Sequence, residues 1–169
     1  MPAQRIPIVD HGTLVGVLSS RESAARLGLP RSGGTARADG AGFAPLVRMT
    51  NIDLLPGELS FAELLEGVDD GVYVETDRSW SIDDKRLNFQ FGTEVGHRIV
   101  HGEIGELVRN PIYSGMGPEF WSSMDAVGNA STWHLWGLPN CGKGQPVQLA
   151  RVSHGAPAAR FRRVAVRGG

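Results

Sequence analysis

The chain has 169 residues, 41% of them hydrophobic and 21% charged, with a net charge of −1 and one cysteine. That length suits one domain with its own core, residues 1–169, or one domain cut from a larger protein. The balance argues against a disordered chain, a disulfide framework and a globally basic nucleic-acid binder. No long apolar run follows Met1, so neither a signal peptide nor a membrane span is expected, and a cytoplasmic setting fits.

Ile6 to Val9 and Leu14 to Leu18 predict a hairpin turning at Asp10-His11-Gly12. Ser19-x-x-Glu22 has capping-box spacing and predicts a short helix, packed through Ala24, Ala25 and Leu27 and ended by Gly28 and Pro30. Residues 31–44, rich in Gly, Ala and Arg, predict a mobile surface loop. A second capping box, Ser60-x-x-Glu63, opens a helix that buries Leu64 and Leu65. From Val72 the period is two, clearest where Leu87, Phe89 and Phe91 alternate with polar residues. His97 to His101 and Ile104 to Arg109 pair around Gly102-Glu103. Pro118 starts a third helix reaching about Ala126. Thr132 to Trp136, Val147 to Val152 and Phe161 to Val166 close the pattern as strands. The sum is an α+β, β-rich domain: a mostly antiparallel twisted sheet or partial barrel with about three short helices.

Three local patterns carry possible chemistry. His97-Arg98-Ile99-Val100-His101 has zincin-like His spacing, but Arg98 stands where that motif needs Glu. On a strand the two rings lie ~13 Å apart at a rise of ~3.3 Å per residue, too far for one zinc ion. Gly137-x-x-x-x-Gly142-Lys143 matches a phosphate-binding loop up to its last position, where Gly144 replaces the Mg²⁺-binding hydroxyl and no helix follows. The third is Cys141, in a loop reading Leu138-Pro139-Asn140-Cys141-Gly142-Lys143-Gly144-Gln145-Pro146. A lone thiol there is a buried apolar group, a nucleophile favoured by Lys143, or one ligand of a shared metal site. Elsewhere, Phe120 and Trp121 are expected in the core. One of Trp133 and Trp136 should face a groove or interface, and Arg160, Arg162, Arg163 and Arg167 should form a solvated edge.

Taken together, Leu14-Val15-Gly16, Arg26-Leu27, Pro45-x-x-Arg48-Met49-Thr50-Asn51, Leu55-Pro56-Gly57, Asp70-Gly71-Val72-Tyr73-Val74, Asn140-Cys141-Gly142-Lys143-Gly144-Gln145 and Val152-Ser153-His154-Gly155 resemble the C-terminal domain of the TldD/PmbA family of zinc metallopeptidases, also called modulators of DNA gyrase. The resemblance covers nearly the whole length. It implies that Cys141 is a metal ligand. In the family, zinc sits between a helical H-E-x-x-x-H motif and a Cys of the C-terminal domain, the fourth position being left to water. The Glu of that motif acts on the water that attacks a peptide carbonyl. Members work in the cytoplasm on unfolded peptides or leader peptides, as homodimers or paired with a sister member.

This sequence contains no H-E-x-x-x-H, which in the family lies upstream. The expectation is therefore a zinc-ligand-donating, peptide-binding half of a metallopeptidase, inactive alone, with no catalytic residue of its own. Its zinc would need two His supplied by an upstream or partner domain. The expected partners are an H-E-x-x-x-H-bearing half or a sister subunit, an extended peptide, and other copies of itself through exposed aromatic residues near 120–136. Neither nucleic acid nor membrane is an expected partner. The alternative is a non-catalytic peptide-binding or subunit-assembly module with the same fold.

Overall fold

The computed structural model describes residues 4–168. In chain order the elements are β1 (Val9–Asp10), β2 (Thr13–Leu14), α1 (Arg21–Arg26), β3 (Ala36–Arg37), β4 (Leu46–Val47), α2 (Phe61–Glu66), β5 (Asp70–Ile82), β6 (Asn88–Val100), β7 (Glu103–Leu107), β8 (Ile112–Met116), α3 (Gly117–Ser122), β9 (Met124–Val127), β10 (His134–Lys143), β11 (Gln148–Ala156), β12 (Ala159–Phe161) and β13 (Ala165–Arg167). The fold is α+β and strand-rich, with antiparallel ladders and three short helices. Among the described residues the strands form one five-stranded and four two-stranded sheets rather than a closed barrel. Among the described residues no helix is long and apolar enough to cross a membrane. The chain divides into two compact units, one of residues up to Leu54 with His134–Ala156, the other of Leu55–Trp133 with the residues from Pro157 onward.

The first unit holds three hairpin pairs, β1–β2, β3–β4 and β10–β11. The first turns at His11-Gly12, both with positive φ (46° and 77°), which matches strand twist in a two-residue turn. It is shorter than the sequence predicts. Helix α1 starts one residue later than its apparent capping box. Ser20, not Ser19, accepts the Ser23 amide at 3.1 Å, and Ser23 Oγ accepts the Ser20 amide at 2.9 Å. Ser19 is committed elsewhere: it is 1% exposed, and its Oγ accepts the Gly33 amide at 2.8 Å. The Gly/Ala/Arg-rich stretch 31–44 is likewise no plain surface loop. It contains β3, and both Ser32 and Thr35 are buried, each hydroxyl donating to the Ser19 carbonyl at 3.2 and 3.3 Å. Buried polar groups tie this unit together through hydrogen bonds, as buried polar groups must.

The second unit is built on β6. One edge pairs with β5 from Ile82↔Phe89 to Asp70↔Val100; the other pairs with β8 over Asn88 to Gly92 and with β7 from His97. The β6–β7 turn is His101-Gly102, with φ of 50° and 81°. The alternation at Phe89 and Phe91 puts both rings with Tyr113, and Phe120 joins them at 5.0 Å from Phe89. Phe120 also stacks on Phe161, centroids 4.0 Å apart. Trp121, expected in the core, is 57% exposed. Helix α3 stops at Ser122 rather than near Ala126, because Met124–Val127 pairs with β12 as β9. Helix α2 follows its capping box: Ser60 Oγ accepts the Glu63 amide at 3.3 Å and Glu63 accepts the Ser60 amide at 2.7 Å.

Gly57 donates to the Gly128 carbonyl at 2.8 Å, next to the Leu59↔Gly128 bridge. A Cβ there would lie 2.5 Å from the Val127 carbonyl oxygen, which is backbone and cannot swing away. Gly57→Ala is therefore expected to cost about 1–3 kcal/mol by overpacking, read as a lower urea midpoint at unchanged slope.

Of the expected solvated edge, Arg162, Arg163 and Arg167 are exposed, whereas Arg160 is half-buried; Arg160 and Arg162 are also ion-paired. Both reach Asp125, at 2.9 and 2.6 Å, and Arg160 also donates to the Leu64 carbonyl at 2.8 Å with only 17% of its side chain exposed. The hydrogen bond from Arg160 holds the Asp125 carboxyl below its ordinary pKa, with Arg162 adding to it. A depressed carboxylate pKa gives stability that is present above the unfolded-state value and lost as pH falls through the folded one. Urea midpoints measured down a pH series should fall in acid, and Asp125→Asn should flatten that fall. An identical acid slope in the variant would remove Asp125 from the explanation.

Candidate functional site

Cys141 lies in a strand, not a loop. β10 and β11 form a two-stranded antiparallel ribbon from His134↔Ala156 to Lys143↔Gln148. The register shifts between Leu138↔Val152 and Cys141↔Ala150, so Pro139 and Asn140 together oppose Arg151. The cause is legible in the chain: Pro139 has no amide to give to a ladder, and a proline inside a sheet sits at a bulge. Cys141 is the residue that resumes pairing after the bulge. It is a free thiol, half-buried rather than sealed in an apolar core.

Two arginines hold this bulge from the side. Arg48, only 3% exposed, follows β4 directly. Its Nη2 donates to the Cys141 carbonyl, and its Nη1 donates to the Gln148 carbonyl at 3.0 Å. One guanidinium thus joins both strands of the ribbon. Arg37 in β3 donates through Nη1 to the Arg151 carbonyl at 3.3 Å, opposite the bulge, and through Nη2 to the Met49 carbonyl at 3.0 Å. The Nε of each arginine is buried without a partner. A buried donor left unpaired costs about 1–3 kcal/mol, so this arrangement is not the cheapest way to fill the space. Buried Gln148 completes the anchor, accepting the Asp39 amide at 3.1 Å and donating to the Ala44 carbonyl at 3.0 Å, while Asp39 accepts the Leu149 amide at 3.0 Å.

The other sequence candidates are placed plainly. Lys143 donates its ammonium to the Val47 carbonyl. Gly137 to Lys143 lies within β10 and opens no helix, so the phosphate-loop spacing has no phosphate-loop structure. His97 lies on β6 with Nδ1 3.1 Å from the Gly105 carbonyl, and His101 sits in the following turn beside Asp69. Asn51 accepts the Ser153 amide at 3.0 Å, Asp53 accepts the Gly155 amide at 2.6 Å, and His154 Nδ1 lies 3.0 Å from the Ile52 carbonyl. The stretch after Arg48 therefore lines one edge of β11. Trp133 precedes β10, whereas Trp136 lies within it and is 55% exposed.

Arg37, Arg48 and Gln148 are the site residues that sequence reasoning missed. A signal was present for one of them: Arg48 is a charge set among Leu46, Val47 and Met49, which points to a buried guanidinium. Among the described residues no three His, Cys, Asp or Glu side chains are grouped to hold a metal ion. A zinc ion, which takes at least three protein donors, does not fit this chain's residues by themselves; Cys141 offers one sulfur.

A protein-family model described as the PmbA/TldA metallopeptidase C-terminal domain matches residues 1–168. A metalloprotease of Methanothermobacter thermautotrophicus (strain Delta H) is 41% identical over 162 residues, covering 95% of this chain and 34% of that protein. A zinc metalloprotease TldD homolog of Saccharolobus solfataricus is 31% identical over 166 residues, covering 98% of this chain and 36% of that protein. A solved structure from Thermotoga maritima MSB8, named as a modulator of a DNA gyrase, shares the fold with a TM-score of 0.74 at 22% identity, covering 99% of this chain and 34% of that one. The chain spans about a third of the length of the curated relatives it matches. On the match across its length and the likeness to these metalloproteases, the chain belongs to the PmbA/TldA metallopeptidase C-terminal domain family.

Proposed function

We propose that this chain is the zinc-ligand-donating and peptide-binding part of a TldD/PmbA-type metallopeptidase that hydrolyses unfolded or leader peptides in the cytoplasm. Cys141 supplies one donor, and two histidines come from an H-E-x-x-x-H segment outside this sequence. When bound, zinc would supply the Lewis acid that the hydrolysis needs. The observation that carries the reading is the placement of Cys141: a half-buried thiol at the end of a bulge that a buried arginine holds. A sulfur sealed among apolar side chains would have argued against it.

Peptide binding is supported by the ribbon. β10 pairs only with β11 among the described residues, so its second edge has no strand partner. An extended substrate added there would be held by main-chain hydrogen bonds, which tolerate many sequences. Leu135, Trp136 and Leu149 are exposed on the same ribbon, at 59%, 55% and 46%, and Val147 in the turn that joins its strands, at 58%. Such apolar exposure supports coverage by the H-E-x-x-x-H part, by a sister subunit or by another copy.

One specific observation favours a second reading, a non-catalytic binding or assembly module: the absence of a three-donor group among the described residues. The experiment that separates the two assays cleavage of an unstructured peptide by the chain alone and by the chain combined with an H-E-x-x-x-H half. Chelator-sensitive cleavage that needs both parts supports the peptidase. Peptide or partner binding that ignores chelators, with no cleavage by the combination, supports the module.

A further inference from the structure

We propose that the aromatic face of the five-stranded sheet, with Asp77 at its end, binds an arginine side chain of an extended peptide. The inference adds a side-chain preference to the peptide-binding reading and rests on that reading alone; it needs nothing from Cys141 or zinc.

A bulge builds this face. Asp77 and Trp80 are three residues apart in β5, so a regular strand would send them to opposite sides. The β5–β6 register shifts between Asp77↔Thr93 and Ser79↔Gly92, leaving Arg78 as the extra residue. Arg78 turns aside and donates to Asn110 Oδ1 at 3.0 Å. Directly opposed residues share a face, so Asp77 lies with Thr93, Trp80 with Phe91, and Ile82 with Phe89. Phe89, Phe91 and Thr93 fall at every second position of β6, which puts all three pairs on one side. Tyr113, opposite Phe91 on β8, extends that side and stacks on Phe91 with centroids 5.6 Å apart. Just before the bulge stands Thr76, whose φ of 59° is rare for a β-branched residue. Bulges re-aim side chains, and backbone strain of this kind collects where ligands are held.

Asp77 alone among these paired positions carries a charge, and it makes no hydrogen bond or ion pair among the described residues. It is reachable from solvent, yet partial burial holds its carboxyl above the ordinary range. Burial first and the Asp77 charge second raise the Tyr113 hydroxyl, so that carboxylate is within electrostatic reach of the rings. A carboxylate drawn partly out of water without a counter-charge is costly until a cation meets it. Beside it Trp80 and Ile82 are 66% and 48% exposed, so the face is open at this end. A guanidinium suits both parts of the surface: it stacks on ring faces and presents a planar fork to a carboxylate.

The test titrates the full 169-residue chain with an unstructured peptide of glycine and serine around one arginine, and with its citrulline counterpart. Citrulline keeps the size of arginine and loses the charge. Binding is read from the indole N–H resonance of Trp80, assigned by its loss in Trp80→Phe. The arginine peptide should shift that resonance and bind at least about tenfold more tightly than the citrulline peptide. Asp77→Asn should lose this preference without a lower urea midpoint, since it removes an unpaired charge. Asp84→Asn, exposed in the β5–β6 turn, should keep it. Equal affinity for the two peptides, an undiminished preference in Asp77→Asn, or the same loss in Asp84→Asn would overturn the proposal and leave peptide binding standing. The citrulline comparison on the unsubstituted chain decides even where a variant folds poorly. A Trp80 shift that follows protein concentration alone would give the face to a second copy and overturn it as well. If neither peptide binds, the peptide-binding reading fails first and this inference falls with it.

Discussion

Replacing Cys141 with serine is expected to abolish chelator-sensitive peptide cleavage by the assembled enzyme and to weaken its zinc binding by at least about a hundredfold. The substitution changes one atom. A serine hydroxyl stays protonated near neutrality, whereas a thiolate binds zinc directly at ~2.3 Å. The surroundings should hold still, because Arg48 grips the carbonyl of residue 141 and not its side chain. The Pro139-Asn140 bulge is backbone-determined and should persist as well. A fall in metal affinity without a fall in urea midpoint is therefore the signature of a lost donor. Cleavage at the original rate in Cys141→Ser would remove the thiol from the mechanism, and the non-catalytic module would become the better reading.

Leu64→Ala should give the largest loss of stability, about 2–5 kcal/mol. Leu64 is 5% exposed and lies on α2, one residue after the Glu63 that closes the capping box. Its backbone carbonyl receives Arg160, and its side chain approaches the position where a Cβ on Gly128 would sit, at 3.3 Å. The backbone at Gly128 cannot swing in, and the Arg160 bond holds the Leu64 backbone in place, so the site has little freedom to collapse around the missing methyl groups. For a chain of this size each kcal/mol moves the melting temperature by about 2–4 °C. A loss below ~1 kcal/mol would mean that the side chain is not packed as described.

The fold was most legible where local pattern and tertiary environment agree. The alternation through Phe89 and Phe91 and the capping box at Ser60 both survive folding, because nothing else competes for those residues. The matching spacing at Ser19 misleads because that hydroxyl is recruited by Gly33, fourteen residues away, and the cap passes to Ser20. Residues 31–44 look like a loop because Gly and Ala carry no period, yet Arg37 in that stretch contacts Arg151. Helix α3 ends early because β12 claims Met124–Val127 for a ladder, a pairing no local window contains.

The candidate site divides in the same way. Cys141 is conspicuous as the lone thiol, and the family resemblance gives it a role. The bulge beside it is written in Pro139. The clamp is not: Arg48 and Cys141 are 93 positions apart, and only the folded ribbon brings the guanidinium to that carbonyl. In the basic cluster at residues 160–167, Asp125 pairs with Arg160 and Arg162, while Arg162, Arg163 and Arg167 stay exposed as their charge predicts.

The most direct test is zinc K-edge X-ray absorption on this chain assembled with an H-E-x-x-x-H part. One sulfur scatterer near ~2.3 Å, beside nitrogen and oxygen near ~2.0–2.1 Å and lost in Cys141→Ser, is the predicted result. A first shell of nitrogen and oxygen alone, the same with and without the thiol, would contradict it.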